Sequence, residues 1–131
     1  MTTDSTQMRL LFTQPPYAMG ANGRLHWARK ARLVKAKRAE ARLVALAALR
    51  QFDCFSDFTP RVYDVYWYYA RGVEPDEDNV LSRCKALLDG CADALRVNDR
   101  SWHLGQIHRV KVGTRDALAG RVELVFVNRN S

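Results

Sequence analysis

Residues 26–51 contain neither Gly nor Pro and consist largely of Ala, Leu, Arg and Lys. These residue types have high helix propensities, so the segment is predicted to form one continuous helix of about seven turns. Its first half is basic and its second half is apolar. A helix with one apolar part must bury that part against another layer of structure, and a chain of 131 residues is expected to supply that layer within a single domain.

The rest of the chain alternates strand and helix patterns. Apolar, β-branched or aromatic runs predict strands over residues 8–14, 61–70, 107–112 and 121–128, with the second of these central. Apolar residues at helical spacing predict a second helix over residues 79–95. The predicted fold class is therefore α/β: a two-layer sandwich with a mixed sheet, the order β-α-β-α-β-β and the helices packed on the sheet. Residues 1–7 are expected to be a flexible tail, residues 8–131 one domain, and the last two strands an antiparallel pair.

Composition excludes several classes of protein. Hydrophobic residues make up 47% of the chain, which is enough for a core, yet no apolar run approaches the roughly 18 residues that span a bilayer. The polar start MTTDSTQ does not resemble a signal peptide, so we expect a cytoplasmic protein without a membrane partner. Three cysteines without a CxxC motif argue against a disulfide framework and a zinc ribbon.

Charge is distributed unevenly along the chain. The formal net charge is +7, and residues 24–50 carry nine basic side chains against one acid. Residues 74–99 instead carry seven acids against three basic residues. A lopsided cationic helix favours contact with phosphates over a merely solvated surface, so a nucleic acid is the expected partner.

The acidic turn contains two aspartates at a spacing that suits a metal ion. In an extended segment, alternate side chains point the same way, so Asp76 and Asp78 are expected to converge while Glu77 faces elsewhere. Neighbouring carboxylates repel unless a cation lies between them, and Mg²⁺ prefers carboxylate oxygens. Lys85 follows Asp78 by two helical turns, about 10 Å along the axis. A metal and a lysine beside a basic surface are what phosphodiester hydrolysis requires.

A purely structural interpretation of the same residues is also open. Asp78 is a suitable N-cap for the second helix, and acids in the first turn interact favourably with the helix dipole. Lys85 and Asp89 have the spacing of an ordinary surface ion pair.

The stretch PDEDNVLSRCKALLDGCADALRVND resembles the RusA-type Holliday junction resolvases, which are homodimeric, Mg²⁺-dependent endonucleases of bacteria and their phages. The resemblance covers about 25 residues strongly: a D-x-D-N motif, a helix with K-x-x-x-D, and an acidic loop. Residues 14–27, QPPYAMGANGRLHW, resemble more weakly the family's Pro-Pro loop before a basic helix. Asn98 stands where the family commonly has the first acid of an Asp-Asp pair.

The resemblance implies roles for particular residues of a RusA-like endonuclease domain over residues 8–131. Asp76, Asp78 and Asp99 match the essential aspartates that hold Mg²⁺, for which Mn²⁺ is expected to substitute, and Lys85 matches the catalytic lysine. The implied substrate is branched DNA, a four-way junction cut by paired nicks. A domain with one metal site needs two subunits for two symmetric cuts, so a homodimer is expected. The residues expected to bind nucleic acid are Asn22, Arg24, Arg29, Lys30, Arg32, Lys35, Lys37 and Arg38.

Two other functions fit the same residues. One is a basic DNA-binding accessory protein whose acids only cap a helix. The other is a nuclease of the same fold that acts on other branched DNA. Cleavage of a junction in the presence of a divalent metal distinguishes an endonuclease from the accessory protein. Competition between substrates distinguishes a junction resolvase from a nuclease that acts on other branched DNA.

Overall fold

A computed structural model describes residues 7–16, 26–51 and 60–127 of the chain. Within these ranges the chain forms six principal elements and one short 3₁₀ helix over Asp99–Ser101. The elements are β1 (Gln7–Thr13), α1 (Trp27–Leu49), β2 (Val62–Tyr69), α2 (Glu77–Leu95), β3 (His103–Lys111) and β4 (Arg121–Val127). The α/β class is confirmed. The 3₁₀ helix between α2 and β3 is absent from the predicted order, and Gln7, assigned to the tail, begins β1, while residues 1–6 lie outside the described ranges.

The four strands form one mixed sheet in the order β1-β4-β2-β3. Strand β2 is central, as predicted, and pairs in parallel with β3 and antiparallel with β4. Parallel pairing follows from the connection, because α2 carries the chain from the end of β2 back to the start of β3. At Asp64 the β2–β3 register shifts, and the Asp64 carboxylate accepts a hydrogen bond from the backbone N–H of Gln106 at 2.8 Å.

The predicted antiparallel pairing of the last two strands is wrong. Strand β4 lies between β1 and β2, so β2 separates it from β3. Residues 112–120 cross the end of β2, where the N–H groups of Val112 and Gly120 donate to the carbonyl oxygens of Tyr69 and Tyr68. This connection of nine residues is longer than the two to five of a usual hairpin loop and can pass over one intervening strand.

The hydrophobic core joins the sheet to both helices. Alternate residues of β1, β2 and β4 are buried, and they form one cluster with one side of α1 and one side of α2. The contributing helix residues include Ala41, Ala45, Leu49, Val80, Cys84, Leu87, Leu88 and Cys91. The predicted apolar face of α2 is thus confirmed. In α1 the buried residues are confined to the second half, which leaves the basic first half at the surface.

The two helices approach most closely at Gly90. A Cβ atom at this position would overlap the carbonyl oxygen of Arg38 and lie 2.7 Å from the Cβ of Ala41. Glycine is therefore required by packing, although it lowers intrinsic helix propensity. Beside this contact, Arg38 donates two hydrogen bonds to the Asp93 carboxylate at 2.7 and 2.9 Å, which links α1 to α2.

Candidate metal and nucleic-acid site

The acidic turn lies at the N-terminus of α2. Helix α2 begins at Glu77, two residues earlier than predicted, and Asp76 is its N-cap. The Asp76 carboxylate accepts a hydrogen bond from the backbone N–H of Asn79 at 2.8 Å. Asp78 is therefore in the first helical turn, so the expectation that both aspartates lie on one extended segment is wrong. Both side chains are nevertheless exposed at the same end of the helix.

Arg109 of β3 neutralises part of this turn. Its guanidinium forms ion pairs with Glu74 at 3.6 Å and Glu77 at 3.7 Å, and it donates a hydrogen bond to the carbonyl oxygen of Pro75 at 3.2 Å. Arg109 was not predicted as part of the site, because it lies more than 30 positions from the acidic turn along the chain and the register of β3 does not follow from local sequence patterns. Among the ion pairs of the described residues, Arg109 engages the two glutamates, and none involves Asp76 or Asp78.

Asn79 supplies a further oxygen beside the aspartates. Its side-chain Oδ1 is buried and has no hydrogen-bond partner among the described residues. A buried amide oxygen without a partner is unfavourable, and a hard cation is one group that can satisfy it. The start of α2 therefore has two exposed carboxylates and, beneath the surface, one unsatisfied amide oxygen.

Lys85 lies midway along α2. Its ammonium forms an ion pair with Asp89 at 2.9 Å, the i,i+4 surface pair that the structural interpretation predicted, and its side chain is 64% exposed. Lys85 also borders a cavity with Trp102, three residues after Asp99 in the chain. The lysine thus lies beside the segment that follows the third aspartate, two turns from the first pair.

Asp99 lies beyond the other end of α2. Its backbone begins the 3₁₀ helix, and the placement of its side chain lies outside what the structure describes. Helix α2 is 19 residues long, about 28 Å at 1.5 Å per residue, whereas the three residues after its C-cap Arg96 extend about 11 Å at most. Asp99 is therefore too far from Asp76 and Asp78 to share a metal ion with them inside one chain. Among the side chains that the structure describes, there is no group of three His, Cys, Asp or Glu residues that could hold a metal ion.

The predicted nucleic-acid contacts divide into three groups. Asn22 and Arg24 lie outside the described residues. Of the predicted contacts on α1, the exposed ones are Arg29, Arg32, Lys35 and Arg38. Lys30 and Lys37 are half-buried, and Lys37 pairs with Glu40 at 3.3 Å.

Arg38 has a structural role that was not predicted. Its two hydrogen bonds to Asp93 lower the pKa of that carboxyl group, chiefly through the hydrogen bonds and with help from the positive charge. Arg38 therefore joins the two helices, while about half of its side chain stays exposed on the cationic part of α1.

Arg83 connects α2 to the end of β1. Its guanidinium donates two hydrogen bonds to the carbonyl oxygen of Pro15, at 3.0 and 2.8 Å, and lies 4.7 Å from the ring centre of Trp67. Strands β1 and β2 are both antiparallel to β4, so they end at the same edge of the sheet. Gln14 strengthens that edge by donating to the carbonyl oxygens of Tyr68 and Arg121. The Pro-Pro segment thus leaves the sheet at the edge where α2 begins.

Comparison with known proteins gives a bacterial relative. The chain is 32% identical over 97 residues to an uncharacterized protein of Xylella fastidiosa, and the match covers 67% of this chain and 58% of that protein. The chain thus spans less than two thirds of the length of the relative it matches. No protein-family model matches the chain. Neither α1 nor α2, the two long helices within the described ranges, is long and apolar enough to cross a bilayer.

Proposed function

We propose that this protein is a homodimeric, Mg²⁺-dependent endonuclease of the RusA type that cuts four-way DNA junctions by paired nicks. One observation carries the proposal: Asp76 and Asp78 are both exposed at the start of α2, next to Asn79, whose buried Oδ1 has no hydrogen-bond partner within the described ranges. That oxygen-rich corner belongs to a chain whose other long helix exposes a cationic first half. Carboxylates for a metal and cations for phosphates are the two requirements of this chemistry.

The donor set fits Mg²⁺. The metal prefers oxygen ligands, keeps several waters and needs only one or two carboxylates from the protein. Asp76 retains its second carboxylate oxygen after capping the helix, and Asp78 is exposed. The helix dipole places a partial positive charge at this end, which the two full negative charges outweigh.

The third aspartate requires a second subunit. Because α2 separates Asp99 from Asp76 and Asp78 within one chain, the proposed site combines the start of α2 from one protomer with Asp99 from its partner. Two such protomers around a two-fold axis would form two equivalent sites, one for each strand to be cut. The homodimer is thus part of the proposed site itself.

The residues of the chain have separate tasks in this proposal. When bound, Mg²⁺ supplies Lewis-acid activation of water and neutralises charge at the phosphate. Lys85 offsets negative charge on the phosphate oxygens. Arg29, Arg32 and Lys35 hold the DNA backbone and set its register on the protein.

The proposal includes the two-layer arrangement and the cytoplasmic location predicted from the sequence. A two-layer arrangement is supported by the single core that both helices share with alternate strand residues. In this two-layer arrangement, the first half of α1 and the start of α2 remain available to a large substrate.

The test is incubation of the protein with a synthetic four-way junction and Mg²⁺, followed by mapping of the nicks on denaturing gels. The wild type is expected to make paired nicks, and Asp76→Asn is expected to make none. Asparagine is as good an N-cap as aspartate, so this change keeps the helix and removes only the charge. Asp78→Asn and Asp99→Asn are expected to be equally inactive.

Glu77→Gln is the matched control. It removes one negative charge from the same turn, but its carboxylate pairs with Arg109. We expect it to nick at close to the wild-type rate. If Asp76→Asn nicks at the wild-type rate, the endonuclease proposal is wrong.

A second candidate, the DNA-binding accessory protein, is favoured by the structural contacts of these same residues. Asp76 caps α2, and Lys85 pairs with Asp89 as surface residues commonly do. This candidate predicts salt-dependent junction binding with no cleavage in Mg²⁺ or Mn²⁺. It also predicts that Asp76→Asn leaves binding unchanged.

A further inference from the structure

A cavity of about 230 Å³ lies between α2, β2 and the segment after the 3₁₀ helix. The described residues that line it are Tyr63, Leu81, Lys85, Leu88 and Trp102. Leu88 and Trp102 are buried, whereas Lys85 is exposed and stands at the rim. The volume is below the 300–1,000 Å³ of sites for drug-sized ligands, so the cavity suits one small group.

The lining combines aromatic and aliphatic walls with hydrogen-bond donors. Tyr63 and Trp102 have ring centres 6.3 Å apart and belong to the aromatic cluster that includes Phe126. The Nε1–H of Trp102 is buried and has no hydrogen-bond partner within the described ranges. None of the described lining residues is acidic. The matching ligand is flat and largely apolar, with oxygen or nitrogen acceptors at its edge.

We propose that this cavity receives one unstacked nucleobase from the branch point of the DNA, a proposal that rests on the function given above. A nucleobase has an aromatic face for the ring walls and acceptors on its edge for the Trp102 N–H and the Lys85 ammonium. Lys85 is the catalytic lysine of the proposed site, so a base held here lies beside the phosphates to be cut. The cavity would thereby fix which nucleotide sits at the metal.

Position along the fold supports a nucleobase over a free small molecule. The cavity opens beside Lys85, and its Trp102 wall directly follows the 3₁₀ helix that begins at Asp99. Lys85 belongs to the proposed site built on its own α2, and this Asp99 belongs to the equivalent site on the other protomer. Bases near a branch point lose less stacking when they unstack than bases inside a continuous duplex, which favours this source of ligand.

The experiment measures equilibrium binding of fluorescent junctions without divalent metal, so that no cleavage occurs. One junction is intact, and the others carry an abasic residue at each branch-point position in turn. Leu81→Trp fills the cavity, and Trp102→Phe removes the indole N–H but keeps a ring. Leu11→Trp is the matched control, because Leu11 is 49% exposed on the sheet face opposite the core.

Filling the cavity is expected to weaken binding of the intact junction by about tenfold, the scale of one lost base-stacking contact. The loss is expected to disappear for the junction whose unstacked base is already missing. Trp102→Phe is expected to lose less affinity, and this loss should also disappear for the same abasic junction. Leu11→Trp is expected to bind all junctions like the wild type. Thermal unfolding of each variant verifies that it is folded.

Three results would overturn the inference. In the first, Leu81→Trp binds like the wild type. In the second, it loses the same factor on the intact and all abasic junctions. In the third, it changes the oligomeric state in sedimentation velocity, which would mean that the cavity receives a second copy of the chain. If the wild type binds intact junctions and any of these three results is found, only the nucleobase site is refuted. If the wild type does not bind junctions, the proposed function is refuted as well.

Discussion

Replacing Gly90 with alanine tests the contact that fixes α2 against α1. The added Cβ would overlap the backbone carbonyl of Arg38 and approach the Cβ of Ala41 to 2.7 Å. A backbone oxygen cannot rotate away, so the helices must separate. Overpacking of this kind costs up to about 3 kcal/mol. The higher helix propensity of alanine returns about 1 kcal/mol, which leaves a net loss of about 2 kcal/mol.

The assay is urea denaturation followed by circular dichroism, with a thermal scan beside it. A loss of about 2 kcal/mol corresponds to a Tm lowered by roughly 8 °C for a domain of this size. Gly113→Ala is the control, because a Cβ there would meet no atom within 4 Å, and a change within about 0.5 kcal/mol is expected. If Gly90→Ala is as stable as the wild type, or more stable, the helices do not approach as described.

Three further predictions concern stability and reactivity. Asp93→Asn should lower the free energy of unfolding at pH 7 by about 0.5–1 kcal/mol, since Arg38 and Asp93 are both partly exposed. The pKa of Asp93 is lowered in the folded state, so the difference in free energy of unfolding between this variant and the wild type should shrink as the pH falls below about 4. Urea unfolding curves of the two proteins that stay equally separated at pH 3 would contradict this prediction. Burial raises the pKa of the Cys84 thiol to about 12 and also raises the pKa of the Cys91 thiol. Both thiols should therefore stay unmodified when the native protein is briefly alkylated at pH 8, and both should be modified in urea, as measured by mass spectrometry. Gly105→Ala should lower the Tm, because its Cβ would overlap a carboxylate of β2, and an unchanged Tm would contradict the described β2–β3 register.

Local sequence patterns were sufficient for most elements of the fold. The ranges of α1 and β2 match the predicted ones within two residues at each end, because composition and propensity act over neighbouring positions. The start of α2 was misplaced because Asp76 and Asp78 are equally good N-caps by residue type. Only the extended backbone at Asp76 and its bond to the N–H of Asn79 identify the cap.

Features that depend on distant residues could not be read from these patterns. The insertion of β4 between β1 and β2 depends on pairing between chain segments more than 50 residues apart. Arg83 and Arg109 were missed for the same reason, since their partners lie on other elements. Helix α2 begins two residues earlier than predicted, and its length separates Asp99 from the acidic turn.

The candidate site was predicted only in part from the sequence. The residue types and their spacing indicated a metal and a nucleic acid, and the structure adds the unsatisfied oxygen of Asn79. It also gives Arg38, predicted as a DNA contact, a second role in joining the helices. The structure places the acidic turn and Asp99 at opposite ends of α2. The spacing of the aspartates along the sequence did not reveal this separation.

The most direct measurement mixes two inactive variants. Asp78→Asn and Asp99→Asn protomers are combined under exchange conditions, and nicking of a four-way junction in Mg²⁺ is compared with each variant alone. If the sites are shared between subunits, the mixed dimer has one site with both changes and one intact site. Random mixing should then restore about a quarter of the wild-type nicking, as single rather than paired nicks. If the mixture, with subunit exchange verified by mass spectrometry, is as inactive as its components while the wild type cuts, the shared site is refuted.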